Sequence, residues 1–324
     1  MAMIFFKKKK ETKINDLIFK ELIKRGYSLE GNTRVWNIAD SKLWYLTPEQ
    51  AQGYLDLEES EDYKKLTSNE GMKLVDTHIK EIMNEVGKGP INIIDLGCGD
   101  GKKAANIMKY LNGRNKMNYC PIDISGYMVQ KAIETISKNG FGEIIESHWN
   151  ISDFDNLANI TPLLRKDEFK KSFFLLLGDT LGNFEVNELL YEIRSSMVEK
   201  DLLLIDTGID NERWKMRAET AKYDEKTNKF FMHIPLLLGL EKEDIEFGAR
   251  FENSRIEFYY IVKNDKNIKF QDKEVQLKKG DQIVVAIAYK HKKEDLLSYL
   301  NMHFDEVHLF VSKDNSKVLA LCKR

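Results

Sequence analysis

The segment Ile91-Asn92-Ile93-Ile94-Asp95-Leu96-Gly97-Cys98-Gly99-Asp100-Gly101 joins an apolar run to three regularly spaced glycines. Residues 91–95 have the length of a buried strand, and Lys102–Leu111 repeats apolar residues at helical spacing. Glycines at such a junction allow a sharp turn and a close approach of the backbone to a ligand. The segment therefore predicts a strand, a ligand-binding turn and a helix, the first unit of a parallel sheet.

Strand and helix signals continue to alternate after this turn. Four more strands are predicted, at residues 118–124, 144–149, 172–178 and 201–207. Ser125 is a suitable N-cap for the helix after the second strand. Near the C-terminus, residues 307–311 and 317–322 flank turn-forming residues and predict a β-hairpin. This order predicts an α/β fold with an open parallel sheet and a C-terminal β-hairpin, which resembles the Rossmann-like fold of class I methyltransferases.

The glycine spacing separates the turn from two other nucleotide-binding motifs. The third glycine of Asp95-x-Gly97-x-Gly99-x-Gly101 comes two residues after the second, whereas GxGxxG requires three, and the GK[ST] ending of a P-loop is missing. Lys103 is placed to reach a ligand carboxylate, as in the methionine part of S-adenosylmethionine (SAM). We expect SAM to be held by this turn and by Gly178, at the end of the fourth strand, with NAD as the competing ligand.

Acidic and aromatic residues follow the next strand ends. Asp123 closes the second strand, where a carboxylate accepts hydrogen bonds from both ribose hydroxyls and repels a 2′-phosphate. Asp153 and Phe154 follow the third strand, where an acid suits the exocyclic amine of adenine and a ring suits its face. Their joint occurrence at successive strand ends favours SAM.

About a hundred residues between the fifth strand and the hairpin break the alternation. Residues 247–251, 256–262 and 283–289 predict an antiparallel sheet, and residues 16–25 and 68–85 predict helices. We expect an inserted α+β substrate domain. The expected division is an N-terminal helical part of the substrate domain at 1–75, a SAM-binding domain at 76–208, the insert at 209–284 and the rest of the SAM-binding domain at 285–324.

The composition argues against several other classes of protein. The 324 residues carry 50 basic and 52 acidic side chains, so nothing indicates a nucleic-acid partner. No apolar run has the length of a membrane span. The three cysteines and six histidines show no zinc spacing, so no metal is expected, and unpaired cysteines favour a cytoplasmic location. The oligomeric state is left open.

Two segments resemble a known family beyond the glycine turn. Tyr119-Cys120-Pro121-Ile122-Asp123-Ile124-Ser125 and Leu177-Gly178-Asp179-Thr180-Leu181-Gly182-Asn183-Phe184 are similar to the histidine-specific methyltransferases of ergothioneine biosynthesis, relatives of the fungal dimethylallyltryptophan N-methyltransferases. The resemblance implies trimethylation of an amino acid at its α-amine, with the substrate carboxylate held by an asparagine and a tyrosine. Asn183 and Tyr223 match these candidate catalytic residues. A helix cap at Asn183, and a core or surface aromatic at Tyr223, remain alternatives.

The resemblance ends at the positions where family members bind the imidazole of the substrate with a glutamate and a serine two residues apart. Ala286 and Ala288 occupy the matching positions, and methyl-sized side chains make no hydrogen bonds to an imidazole. The substrate pocket is therefore expected at Asn183, Tyr223, Ala286 and Ala288, with an apolar ring, an indole-like amine or a peptide side chain as its occupant.

We therefore predict a SAM-dependent N-methyltransferase acting on an amino acid or related amine and not on free histidine. A protein or peptide histidine methyltransferase and a catalytically inactive SAM-binding accessory protein are the alternatives. Asp179, near the expected reaction centre, either steadies a cationic amine or is a solvated loop acid.

Overall fold

The computed structural model describes residues 14–61, 64, 69–221 and 224–324. The strands are β1 (Ser28–Glu30), β2 (Thr33–Asn37), β3 (Ile91–Leu96), β4 (Met117–Ile122), β5 (Glu143–Ile144), β6 (Lys171–Leu176), β7 (Leu202–Gly208), β8 (Ile245–Glu252), β9 (Arg255–Val262), β10 (Lys266–Phe270), β11 (Lys273–Leu277), β12 (Gln282–Tyr289), β13 (Glu306–Val311) and β14 (Lys317–Lys323). The helices are α1 (Asp16–Arg25), α2 (Pro48–Glu58), α3 (Asn69–Val86), α4 (Lys102–Leu111), α5 (Gly126–Asn139), α6 (Leu157–Leu164), α7 (Val186–Ser196), α8 (Glu212–Ala221), α9 (Glu225–Phe231), α10 (His233–Leu237) and α11 (Lys293–His303). None of these helices is long and apolar enough to cross a membrane.

The larger sheet has seven strands in the order β13-β14-β7-β6-β3-β4-β5. Strands β7, β6, β3, β4 and β5 run parallel, whereas β14 is antiparallel to both β7 and β13. Leu96 is in register with Ile122 and with Leu176, so β3, β4 and β6 end at the same level. The Rossmann-like sheet and its C-terminal hairpin are confirmed, and three strand ends meet at one edge.

Apolar helices cover both faces of this sheet. One core cluster joins it to α3, α4 and α5, and a second joins it to α6, α7 and α11. Helix α4 has the bounds predicted from its periodicity, with Ala104, Ala105, Met108 and Leu111 buried. The side chain of Ser125 accepts a hydrogen bond from the Met128 amide, as expected of the N-cap of α5.

The strand predicted at 144–149 is much shorter in the structure. Strand β5 contains two residues, after which the chain forms a 3₁₀ turn at His148–Asn150. The buried Asn150 carboxamide donates to the carbonyls of Pro121 (2.6 Å) and Ile145 (3.1 Å). These hydrogen bonds take the place of strand pairing after Ile144. A pattern of apolar residues does not show that such side-chain bonds will form.

The smaller sheet has the order β1-β2-β12-β9-β8 and combines the insert with the N-terminal region. Strands β8, β9 and β12 are antiparallel, as predicted, while β2 adds to β12 in parallel. Strands β1 and β2 and the β10–β11 hairpin were not predicted, since these short segments carry many polar residues. Helices α1, α9 and α10 share a core with this sheet.

Two of the expected domain boundaries fall inside single elements. The boundary after residue 75 divides α3, although Leu74 and Val75 pack in the same core cluster as Ile82 and Met83 beside the larger sheet. The boundary after residue 284 divides β12, whose whole length pairs within the smaller sheet. The domain division remains a proposal, with these boundaries moved to the start of α3 and the end of β12.

Candidate active site

Two cavities adjoin at the carboxyl end of β6. The strand-end cavity is lined by the predicted residues Gly97, Gly99, Asp123, Asp153, Phe154, Gly178 and Asn183, together with Lys42. The aromatic cavity lies between the two sheets and is lined by Trp44, Trp214, Phe230, Phe231, Phe258, Ala286 and Ala288. Tyr54, Gly178 and Asn183 line both cavities. A ligand in one cavity and a ligand in the other would therefore be closest to each other beside these three residues.

The glycine turn serves both the strand-end cavity and the packing of α4. Gly99 has a φ of +53°, and a Cβ added there would meet no atom within 4 Å. Its backbone thus borders open space in the cavity. Gly101 has a φ of +74°, and its Cβ would lie 2.9 Å from the Cα of Ala132 in α5. Gly101 does not line the cavity and instead allows the start of α4 to approach α5.

Asp123 projects from the end of β4 into the strand-end cavity. Its Oδ1 accepts a hydrogen bond from the Ser125 amide (2.9 Å), and its Oδ2 accepts one from the Gly99 amide (3.3 Å). Burial raises the pKa of Asp123 to about 6, against the opposing effect of these amides. The group is therefore mainly ionised at neutral pH, and its remaining lone pairs are suited to ligand hydroxyls.

Asp95 and Lys103 lie beside the strand-end cavity and do not line it. The Tyr119 hydroxyl donates to Asp95 Oδ2 (2.7 Å), and burial raises the pKa of this carboxyl to about 7. Lys103 forms an ion pair with Glu58 of α2. Its Nζ would lie 3.0 Å from a Cβ added at Gly178, so it is next to the cavity wall. Asp95 supports the turn, whereas Lys103 is paired with Glu58 beside the cavity wall.

Asp153 and Phe154 lie at the far wall of the strand-end cavity. Asp153 Oδ2 forms an ion pair with Lys42 Nζ (3.0 Å), which comes from the segment between β2 and α2. The buried Phe154 ring packs 5.2 Å from the Phe184 ring, measured between centroids. Lys42 was not predicted from the sequence, because it lies 111 residues from its partner.

Asn183 ends a 3₁₀ turn, Thr180–Asn183, that follows β6. The alternative that Asn183 caps α7 is wrong, since Glu185 is the N-cap and accepts from the Glu188 amide (2.9 Å). Among the described residues, none forms a hydrogen bond with the Asn183 carboxamide. This group is therefore available to a ligand at the junction of the cavities. Tyr223 lies outside the described residues, and its role stays a prediction.

Ala286 and Ala288 line the aromatic cavity from β12, opposite Phe258 and Ile256 of β9. Ala286 is 1% exposed, so its methyl group is part of a closed apolar wall. Rings of Phe230, Phe231 and Phe258 continue this wall, with centroid separations of 4.7 Å and 5.2 Å between successive rings. These rings were not predicted to line a cavity, because in a sequence an aromatic residue of a cavity wall looks the same as one that packs in a hydrophobic core.

Asp179 belongs to a buried ionic cluster and is not a solvated loop acid. Lys317 Nζ donates to Asp179 Oδ2 (2.9 Å) and to Asp206 Oδ1 (3.2 Å), and Lys290 Nζ donates to Asp179 Oδ1 (3.2 Å). Burial alone would raise the pKa of Asp179, but Lys290 and Lys317 hold it well below its usual range. The Gly208 amide also donates to Asp179. These bonds fix the start of the turn that carries Asn183.

A family model described as "Histidine-specific methyltransferase, SAM-dependent" matches residues 56–324. No curated protein matches the chain. Similar solved structures include a protein from Pyrococcus horikoshii OT3, with 13% identity, a TM-score of 0.43 and coverage of 82% of this chain and 93% of that one. The DhpI–SAM–HEP complex has 11% identity, a TM-score of 0.42 and coverage of 86% and 94%. Human N-acetylserotonin methyltransferase, in complex with SAM, has 13% identity, a TM-score of 0.45 and coverage of 97% and 64%.

Proposed function

Because this chain belongs to the histidine-specific, SAM-dependent methyltransferase family, we propose that it methylates the nitrogen of an amino acid or related amine other than free histidine. The observation that carries this proposal is the aromatic cavity with Ala286 and Ala288 in its wall. A buried polar group without a hydrogen bond costs about 1–3 kcal/mol, so an imidazole packed against the methyl groups of Ala286 and Ala288 is unfavourable. Burial of an apolar side chain contributes roughly 1.5–3 kcal/mol, so an apolar acceptor is favoured.

The lining of the strand-end cavity fits SAM. Gly97 and Gly99 bring the backbone close to open space, and the ionised Asp123 is suited to the two ribose hydroxyls. Phe154 offers a ring face to adenine, while Asp153 is suited to its exocyclic amine. We assign the cofactor to this cavity and the acceptor to the aromatic cavity.

The junction of the cavities aligns the acceptor nitrogen with the methyl group that is transferred. SAM, when bound, would supply a sulfonium methyl group for in-line transfer to the acceptor nitrogen, with S-adenosylhomocysteine as the leaving thioether. The Asn183 carboxamide, which borders both cavities, orients the acceptor there, and the aromatic wall excludes water. Asp179 accepts hydrogen bonds from two lysines and a backbone amide, so we do not propose that it takes a proton from the acceptor. The acceptor ammonium loses its proton to solvent before it reacts.

Isothermal titration of the chain loaded with S-adenosylhomocysteine tests the acceptor class. We expect tryptophan, phenylalanine or leucine to bind at least about tenfold more tightly than histidine, because only the apolar side chains match the wall. Histidine binding as tightly as the best of these would contradict the proposal. Clear cofactor binding with no heat from any α-amino acid would exclude an amino-acid acceptor and leave a related amine or a protein side chain.

A further inference from the structure

One basic side chain from the N-terminal region lies at the border of the strand-end cavity. Lys42 belongs to a 3₁₀ turn, Ser41–Leu43, between β2 and α2. It lines the strand-end cavity and also a groove of about 1080 Å³, which is lined by this turn and by α7. Asp153 lines both spaces as well. The ion pair between Lys42 and Asp153 therefore lies at the border between the strand-end cavity and the groove.

Only one oxygen of the Asp153 carboxylate is bound by the described part of the chain. Lys42 Nζ donates to its Oδ2 (3.0 Å), and no other described residue donates to this carboxylate. Asp153 is the N-cap residue of the 3₁₀ turn Phe154–Asn156, but its side chain does not cap that turn. Oδ1 therefore keeps its lone pairs for a ligand, while Lys42 fixes the other oxygen.

The backbone that carries Lys42 is fastened to the smaller sheet. Before the turn, the Ile38 amide donates to the Val284 carbonyl of β12 (2.9 Å). After the turn, Trp44 Nε1 donates to the Val285 carbonyl of the same strand (3.0 Å). The chain on both sides of Lys42 is therefore held by β12. The smaller sheet thus supplies a charge to a cavity that lies at the strand ends of the larger sheet.

Lys42 is a charged partner for Asp153 at neutral pH. Burial lowers the pKa of Lys42, but the hydrogen bond to Asp153 and the charges of Asp153, Asp40 and Asp155 raise it above its usual range. Asp40 accepts from the Lys42 amide (2.9 Å) as the N-cap of the turn, and its other oxygen contacts Arg25 (3.5 Å). The Lys42 ammonium therefore has its hydrogen-bonded carboxylate in Asp153.

We propose that Lys42 is a positioning residue for the cofactor, which holds Asp153 so that its free oxygen accepts the exocyclic amine of adenine. This inference rests on the proposed function, which assigns adenine to Asp153 and Phe154. A carboxylate that is already fixed loses less side-chain freedom when the ligand binds, which raises affinity roughly twofold to tenfold. Adenine also covers the carboxylate from water, and the ammonium compensates the charge that is covered.

The adenine end of the cofactor site is then completed by the N-terminal region. Trp44, two residues after Lys42, lines the aromatic cavity. One short segment therefore contributes a side chain to each cavity, and the larger sheet with its helices does not hold all of the groups that recognise adenine.

The binding of two ligands tests this role without catalysis. One is S-adenosylhomocysteine, and the other is its purine analogue, in which hydrogen replaces the exocyclic amine of adenine. Isothermal titration of the full chain gives the ratio of the two Kd values for each variant. We expect the wild-type chain to prefer adenine roughly tenfold, as a hydrogen bond to a charged group does. Lys42→Met should lower this preference about threefold, and Lys42→Arg should restore most of it.

A double-mutant cycle separates positioning from direct contact with the cofactor. Asp153→Ala should abolish the preference for adenine. Adding Lys42→Met to Asp153→Ala should not change the ratio further, because Lys42 acts through Asp153. If Lys42→Met lowers the ratio equally with and without the Asp153 carboxylate, Lys42 contacts the ligand directly and the positioning role is wrong.

Lys116→Met is the matched control, because Lys116 forms a similarly exposed ion pair with Glu168 (2.6 Å) and lines neither cavity. It should keep the wild-type ratio. If Lys42→Met also keeps this ratio while Asp153→Ala loses it, Lys42 does not position Asp153, and the cofactor assignment stands. If the wild-type chain binds both ligands equally well, Asp153 does not bind adenine, and that part of the proposed function fails together with this inference.

Discussion

Lys317→Met is expected to lower the free energy of unfolding by about 3–5 kcal/mol, since removing one partner from a buried ionic group leaves uncompensated charge. Lys317 is fully buried and its ammonium bridges Asp179 and Asp206. Methionine fills a similar volume, so the loss of stability comes from the missing charge and not from a cavity. Chemical denaturation measures the free energy of unfolding of both proteins, provided that their denaturation slopes are equal.

Lys323→Met is the matched control for this prediction. Lys323 lies on the same strand, β14, but pairs with Glu85 and Glu306 while a quarter of its side chain is exposed. Partly exposed pairs of this kind contribute at most about 1 kcal/mol. Equal effects of the two substitutions would show that the buried cluster contributes no special stability.

The deficit of Lys317→Met should also shrink as the pH falls. Burial already raises the pKa of Asp206 in the native chain, against the lowering effect of Lys317. Without the lysine, Asp206 resists ionisation more strongly in the folded state than in the unfolded state. The destabilising effect of its charge is therefore present above the raised pKa and is relieved as protonation removes the charge. A deficit that grows towards acid would contradict this explanation.

Gly99→Ala is expected to weaken SAM binding by roughly tenfold to hundredfold, because a methyl group forced into an occupied space costs about 1–3 kcal/mol. The Cβ would enter the open space of the strand-end cavity, where we place the cofactor. Equilibrium dialysis with SAM measures the change in Kd. The fold should persist, because the new atom meets no protein atom within 4 Å.

Gly113→Ala controls for backbone strain. Gly113 also has a positive φ, +78°, and open space at its Cβ, but it does not line either cavity. Both substitutions carry a similar left-handed strain of about 1–2 kcal/mol. Loss of SAM affinity in both variants would point to destabilisation, whereas loss in Gly99→Ala alone supports a cofactor at the glycine turn.

The sequence sufficed where a local pattern determines the structure. The run from Ile91 to Gly101 predicts its strand, turn and helix because apolar periodicity and glycine positions are local properties. Asp123, Asp153, Phe154 and Asn183 were placed at strand ends, and the parallel sheet brings them to one cavity. The chain also matches the family that the motifs had indicated.

Long-range pairing could not be predicted in the same way. Lys42 meets Asp153, and Lys317 meets Asp179, across more than a hundred residues. When its distant partner is not known, the sequence around Asp179 is typical of an acidic residue in an exposed loop. Trp214 likewise has the pattern of any core aromatic, and only the structure shows that its indole N–H is buried without a hydrogen-bond acceptor among the described residues.

Competition for the methyl group tests the central claim most directly. The purified chain is incubated with methyl-labelled SAM and equal concentrations of histidine, tryptophan, phenylalanine and leucine, and the labelled products are identified by mass spectrometry. We predict label on the nitrogen of an apolar amino acid, with histidine receiving less than about a tenth as much. Histidine as the main labelled product would contradict the assignment of Ala286 and Ala288 as an apolar wall that excludes imidazole.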